Sequence, residues 1–373
     1  MSTHPFRSLL LTTLVAIAVA TPLQADPQAA AAAPKPAAPA AQQVTLPQVV
    51  VLATGGTIAG AAASDVQAGY TSGQVGVDQL LAAVPQAKKL ATLKGEQISN
   101  IGSQDMNDEV WLKLAKRINQ LTAMPEVAGI VITHGTDTIE ETAYFLNLVV
   151  KSKKPVVLTA AMRPSTALSA DGPLNFYNAV AVAANKEAAG RGVLVVINDW
   201  IHGASSLTKA STTAVQTFLS PVWGLIGTVA YGECEFFRGP VGRNTANSEF
   251  SLDGVTSLPR VDIIMAYENM DGALIDAAAA SGAKGIVIAG VGNGNMTAAA
   301  LEALAAQAKK GIVCVRASRV ATGRVGRNVE VDDDKLGLVA SLGLNPQKSR
   351  VLLRLGLTKT NDVKQIQRFF DEY

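Results

Sequence analysis

From residue 44 onward, short aliphatic and β-branched runs alternate with longer stretches in which apolar residues recur every three or four positions. The runs at 48–53 (QVVVLA), 129–133 (GIVIT), 156–159, 193–197 (VLVVI), 261–265, 285–289 (GIVIA) and 312–315 predict strands. Their unbroken apolar character suits strands covered on both faces, since a half-exposed strand would alternate. The periodic stretches at 107–122, 139–150, 173–185, 297–309 and 362–370 predict amphipathic helices. Asn107 and Asp108 offer a cap to the first. Lys309-Lys310-Gly311 closes the fourth, with basic residues at the negative end of the dipole and a stop after them. Strands alternating with helices predict an α/β fold with mainly parallel sheets.

The rhythm is missing at the start and breaks once later. Residues 1–25 read as a signal peptide: Arg7 is the positive end, 8–20 (SLLLTTLVAIAVA) the apolar stretch, and cleavage falls after Ala20 or Ala25. The apolar stretch is shorter than the ~20 residues a membrane span needs. A periplasmic or secreted protein with no membrane attachment after processing is expected. Residues 26–45 are mostly Ala, Pro and Gln and have little to bury, which predicts an extended tether. The second break, 239–259, is polar and bears Gly and Pro. It predicts a linker between a larger N-terminal domain at 46–238, with a helix-flanked and mainly parallel sheet, and a smaller C-terminal α/β domain at 260–373.

Composition narrows the chemistry. The formal charge is +2, or about +1 once Arg7 leaves with the leader, so neither nucleic acid nor an anionic membrane is an expected partner. A small molecule is. The only histidines are His4, His134 and His202, and the only cysteines Cys234 and Cys314, too few for a histidine-rich or four-cysteine metal site. No metal or cofactor is expected. The two cysteines read either as buried apolar residues or as a disulfide formed in an oxidising compartment. Catalysis is left to hydroxyls, carboxylates, amides and lysines.

Those groups concentrate in loops after strands, where parallel α/β sheets gather ligands. Thr54-Gly55-Gly56-Thr57 follows the first strand. Taken alone it is a tight turn or a phosphate cradle, although neither GxGxxG nor a Walker lysine is present. Residues 133–138 (THGTDT) precede a helix and carry more hydroxyl and carboxylate groups than a cap uses; His134 reads as structural. Ser103, Gln104 and Asp105 stand ahead of the Asn107 cap. Lys209 follows the VLVVI strand and by itself reads as a surface charge.

The constellation resembles the bacterial-type L-asparaginase family, in particular its exported type II branch. The likeness rests on ATGGTIAG at 53–60 and ITHGTDTIEET at 132–142. It continues through GSQDMND at 102–108, MRPSTALSADGPLNFYNA at 162–179, GVGNGN at 290–295, VEVDDDK at 329–335 and NPQKSRVLL at 345–353. The resemblance implies Thr57 as nucleophile and Tyr70, in the small and polar segment 60–76, as its partner on a closing lid. It implies Thr136, Asp137 and Lys209 as a second catalytic cluster, with Ser103, Gln104 and Asp137 gripping the α-carboxylate and α-amine of the substrate. It further implies a homotetramer in which Asn295 and Glu330 are lent by a neighbouring subunit. One departure is Ser205-Ser206, where the family commonly carries Arg-Asp, which puts charge pairing around the lysine strand in question.

The chemistry fits these roles. A threonine hydroxyl attacks well only if a partner takes its proton; without a spare histidine, either Tyr70 or the Thr136–Lys209 pair serves. Asp137 and Glu330 can meet an ammonium, and backbone N–H groups at Gly56–Thr57 and near Thr136 can meet an oxyanion. The expected activity is asparagine amidohydrolysis through an acyl-enzyme, in asparagine catabolism. The alternatives are a glutaminase-asparaginase, an exported amino-acid-binding protein that would not need Thr57, Tyr70 and Lys209, and a nucleotide-binding module.

Overall fold

A computed structural model describes residues 45–60 and 76–373. The signal peptide, nearly all of the tether, and Tyr70 with most of the lid segment lie outside them. QVVVLATG forms β1 (Gln48–Gly55), flanked in parallel by β2 (Thr92–Ile101) and β3 (Val127–Thr133). The parallel set continues through β4 (Val156–Thr159) and β5 (Val193–Ile197). β6 (Trp200–Gly203) turns back, and a small hairpin of β7 (Thr208–Lys209) and β8 (Phe218–Leu219) follows. Antiparallel β9 (Gly227–Ala230) and β10 (Glu233–Phe236) complete an eight-stranded sheet of order β10-β9-β6-β5-β4-β3-β1-β2. A second sheet is wholly parallel: β11 (Val261–Met265), β12 (Gly285–Gly290), β13 (Val313–Ser318) and β14 (Leu338–Ala340). The fold is α/β, as the hydrophobic pattern predicts.

The helices are α1 (Val77–Ala83), α2 (Asp108–Ala123), α3 (Ile139–Val149), α4 (Gly172–Ala184), α5 (Ala273–Ala280), α6 (Ala298–Lys309), α7 (Asp333–Leu336), α8 (Pro346–Gly356) and α9 (Val363–Glu372). Asn107 caps α2, its side chain accepting from Val110 N, and Thr297 caps α6 in the same way. β1 shows why its run is unbroken. Val50 and Leu52 pack with Trp111, Leu114 and Phe145 from α2 and α3, whereas Val49, Val51 and Ala53 pack with Phe176 and Val180 from α4.

The first of these cores runs on through Val351, Leu352 and Leu353 of α8 to Val261, Val287 and Val315 of the small sheet. The segment 239–259 is held along its length. Phe250, Leu252 and Leu258 are buried in the same core. Lys151 Nζ donates to Ser248 O at 2.6 Å, and Arg354 donates to the carbonyls of Leu258 and Pro259. Among the described residues no helix is long and apolar enough to cross a membrane.

Cys234 lies half-buried on β10 and Cys314 buried on β13; both are free thiols, so the disulfide alternative falls away. Burial pushes the Cys314 thiol up to about 12.

His134 and His202 are fully buried, and desolvation lowers them to about 4 and about 3. Among the described residues each satisfies only Nδ1, His134 on Gly135 O at 2.7 Å and His202 on Ser220 Oγ at 2.8 Å, and neither Nε2 has a partner. Gly135 O can only accept, so His134 Nδ1 carries the proton of the neutral ring and protonating its Nε2 would bury an unpaired N–H. The unfolded chain takes up these protons near pH 6.5, and the folded one only at much lower pH. Stability is thus full above about pH 7 and falls as the pH drops from about 6.5 towards 4, by up to about 1.4 kcal/mol per histidine per pH unit. Urea unfolding across that range checks this, and His134→Gln is expected to reduce the slope.

Candidate active site

The chain passes from β1 to β2 on one side and returns to β3 on the other, so β1 and β3 border the point where strand order reverses. The loops leaving their carboxyl ends diverge there and open a crevice, the usual ligand position in open α/β sheets. Ala53 is paired with Thr133, so residues 54–57 and 134–137 run out side by side. Thr54 Oγ1 donates to Thr133 O at 2.9 Å and ties the two strand ends together.

Two glycines let the loops meet. Gly56 has φ +81° and lies so near residues 134–135 that a Cβ there would stand 2.4 Å from Gly135 N. A Cβ on Gly135 would in turn stand 2.5 Å from Ser103 Oγ. The turn bearing Thr57 and the loop bearing Thr136 are therefore packed backbone against backbone, with the Ser103 side chain set against Gly135. Thr57 starts a short 3-10 turn and is 4% exposed.

Ser103, also buried, holds its neighbour in place: its Oγ accepts from Asp137 N at 3.1 Å, and its carbonyl accepts from Thr138 Oγ1 at 2.7 Å. Gln104 is exposed, its Nε2 donating to Asp105 Oδ2 at 3.3 Å. Lys209 reaches in from β7. Its ammonium donates to Thr136 Oγ1 at 2.9 Å and to Asp137 Oδ1 at 2.6 Å. The Asp137 side chain is 57% exposed and the Lys209 side chain 19%, so the carboxylate is open to solvent while the lysine is mostly covered. The lone lysine that sequence alone makes a surface charge is an inward-reaching ion pair. Its partners stand 72 and 73 residues away, which no local pattern reveals.

Two expectations change. Gly56 N donates to Ile101 O at 3.0 Å, so this N–H is engaged inside the sheet and is not a donor for an oxyanion. The charge pairing missing at Ser205-Ser206 is supplied from elsewhere. Lys348 and Glu140 form a buried pair at 3.0 Å beside Leu207, contacts that sequence reasoning missed. Asn295 and Glu330 belong to the small sheet's loops. Asn295 is bridged to Val291, and Glu330, exposed, accepts from Asn293 Nδ2 at 3.5 Å. Among the described residues neither bonds to Ser103, Thr136, Asp137 or Lys209. Nor, among the described residues, does any group of three or more His, Cys, Asp or Glu side chains gather to hold a metal ion.

A family model described as "Asparaginase, N-terminal" matches residues 48–242, and one described as "Glutaminase/Asparaginase C-terminal domain" matches residues 260–370. The chain belongs to the asparaginase family. It is 55% identical to a probable periplasmic L-asparaginase of Haemophilus influenzae, over 89% of this chain and 95% of that one. It is 47% identical to a glutaminase-asparaginase of Pseudomonas fluorescens biotype A, over 88% of this chain and 91% of that one. The crystal structure of a probable cytoplasmic L-asparaginase from Campylobacter jejuni superposes with a TM-score of 0.85 at 48% identity, covering 88% of this chain and 100% of that chain.

Proposed function

We propose that this asparaginase-family enzyme hydrolyses L-asparagine to aspartate and ammonia, with Thr57 as nucleophile. The observation that carries the proposal is the Lys209–Thr136–Asp137 cluster, held by Ser103 at the same strand reversal from which the Gly55-Gly56-Thr57 turn emerges. A protein that merely bound an amino acid would need the Ser103 and Asp137 side of this crevice. It would not need a lysine drawn 19% exposed onto a threonine hydroxyl.

Thr57 Oγ1 attacks the side-chain amide carbon and its proton passes to a base, either Tyr70 or the Thr136–Lys209 pair. The oxyanion takes bonds from the Thr57 N–H and from a backbone N–H near Thr136, the Gly56 N–H being engaged with Ile101 O. The C–N bond breaks, the amide nitrogen leaves protonated as ammonia, and water then cleaves the threonyl ester to release aspartate. No cofactor enters the scheme. Ser103 and Gln104 hold the α-carboxylate, and the exposed Asp137 carboxylate meets the α-ammonium. Asn295 and Glu330 complete the site from a neighbouring subunit of a homotetramer. The leader at 1–25 supports a periplasmic or secreted location, like that in the name of the Haemophilus relative.

A glutaminase-asparaginase is the second reading, favoured by the Pseudomonas relative. Glutamine is longer by one methylene, which a pocket discriminates by only about 1–3 kcal/mol. Steady-state ammonia release from the two amides, measured side by side, tests both readings. A higher kcat/KM on asparagine is expected, comparable values would establish the second reading, and ligand retained without ammonia would overturn both.

A further inference from the structure

The segment NPQKSRVLL at 345–353 has no part in the reaction above, yet it sets a buried lysine behind the second cluster. Asn345 caps α8, its Oδ1 accepting from Lys348 N at 3.0 Å, with Pro346 in the first helical position. Within that first turn Lys348 is 2% exposed. Its ammonium donates to Glu140 Oε2 at 3.0 Å and to Leu207 O, and Asn345 Nδ2 donates to the same carboxylate oxygen at 3.0 Å.

The partners explain the arrangement. Glu140 stands in the first turn of α3, just beyond Thr136-Asp137, and Leu207 just before Thr208-Lys209. One ammonium thus grips both chain segments whose side chains meet in the Lys209–Thr136–Asp137 contact. Residues 204–208 carry no charge of their own, so the charge that holds the segment leading into β7 comes from α8. A buried ion pair is often no more stabilising than apolar side chains of equal volume. What it does supply is a fixed register between the segments it joins.

We infer that Lys348 is a positioning residue: through Glu140 and Leu207 it sets the approach of Lys209 to Thr136 and Asp137. The inference rests on the catalytic role proposed for that cluster. It is tested by kcat, KM and melting temperature for Lys348→Met, the double variant Lys348→Met/Glu140→Met, and Lys209→Met, all in the full chain. Lys348→Met is expected to lower kcat by about tenfold to a hundredfold through misplacement. KM should stay within about threefold, because Ser103 and its bonds are untouched. The double variant is expected to regain the melting temperature, since no carboxylate is left buried and unpaired, but not kcat, since Leu207 O still lacks its donor.

A purely structural lysine gives a different result: the double variant recovers melting temperature and wild-type kcat together, and that overturns the inference. Should Lys348→Met fail to fold, the double variant decides alone. Undiminished kcat in Lys209→Met removes the catalytic role of the cluster and the inference with it. An inactive Lys209→Met beside a fully active double variant overturns the role of Lys348 only.

Discussion

Replacing Thr57 with alanine is expected to lower kcat for ammonia release by at least about a thousandfold while leaving the fold and much of substrate binding intact. The hydroxyl is the only atom on that side chain able to form the ester, and the groups proposed to grip the α-carbon, Ser103, Gln104 and Asp137, lie on other segments. Loss should therefore fall on kcat, with asparagine still bound in an equilibrium measurement. A variant that keeps its turnover sinks the nucleophile assignment. The same variant probes the shared site. Thr57→Ala and Glu330→Ala subunits, each inactive alone, should regain activity when unfolded together and refolded as a mixture. Some sites then receive an intact threonine from one subunit and an intact glutamate from another. Absence of recovery would place Glu330 outside its neighbour's site.

Gly56→Ala is the second substitution from which a large effect is expected, though it adds only a methyl group. Gly56 sits at φ 81°, ψ −173°, a region populated almost only by glycine and costing other residues about 1–3 kcal/mol. The added carbon would also lie 2.4 Å from Gly135 N, 2.5 Å from Gly135 Cα and 2.7 Å from His134 C. All three are backbone atoms, so no side chain can rotate away. The loops after β1 and β3 must separate, which moves Thr57 relative to Thr136. A displacement approaching 1 Å costs on the order of a hundredfold in rate. Thermal unfolding and kcat are expected to fall together, and an unchanged pair of values would disprove the close approach.

The parts of the fold legible in the sequence are those in which apolar character is continuous. QVVVLA, VLVVI and GIVIA read as strands because α-helices cover both faces of the sheet. β2 escapes notice because it is an edge strand, TLKGEQISNI, carrying Lys94, Gly95 and Glu96 on a half-open surface. α8 escapes for another reason. Its charged residues interrupt the apolar pattern, and Lys348 and Arg354 are each buried through a long-range partner, Arg354 on Asp108 at 2.5 Å and Lys348 on Glu140. The site divides likewise. The Gly55-Gly56-Thr57 turn and the hydroxyl surplus at 133–138 stand out locally. The meaning of Lys209, and the existence of the Lys348 clamp, depend on pairings that only the folded chain creates.

Cys234 and Cys314 sit in separate sheets as free thiols, and the deeper one is held unreactive by burial. No covalent cross-link then has to form before the described fold is complete, and no oxidant is consumed in reaching it. Residues 45–373 expressed in a reducing cytosol, or handled in thiol-containing buffers, should have the same melting temperature and activity as the same residues obtained from an oxidising compartment. The compartment in which this molecule works is a matter of its address rather than of its architecture.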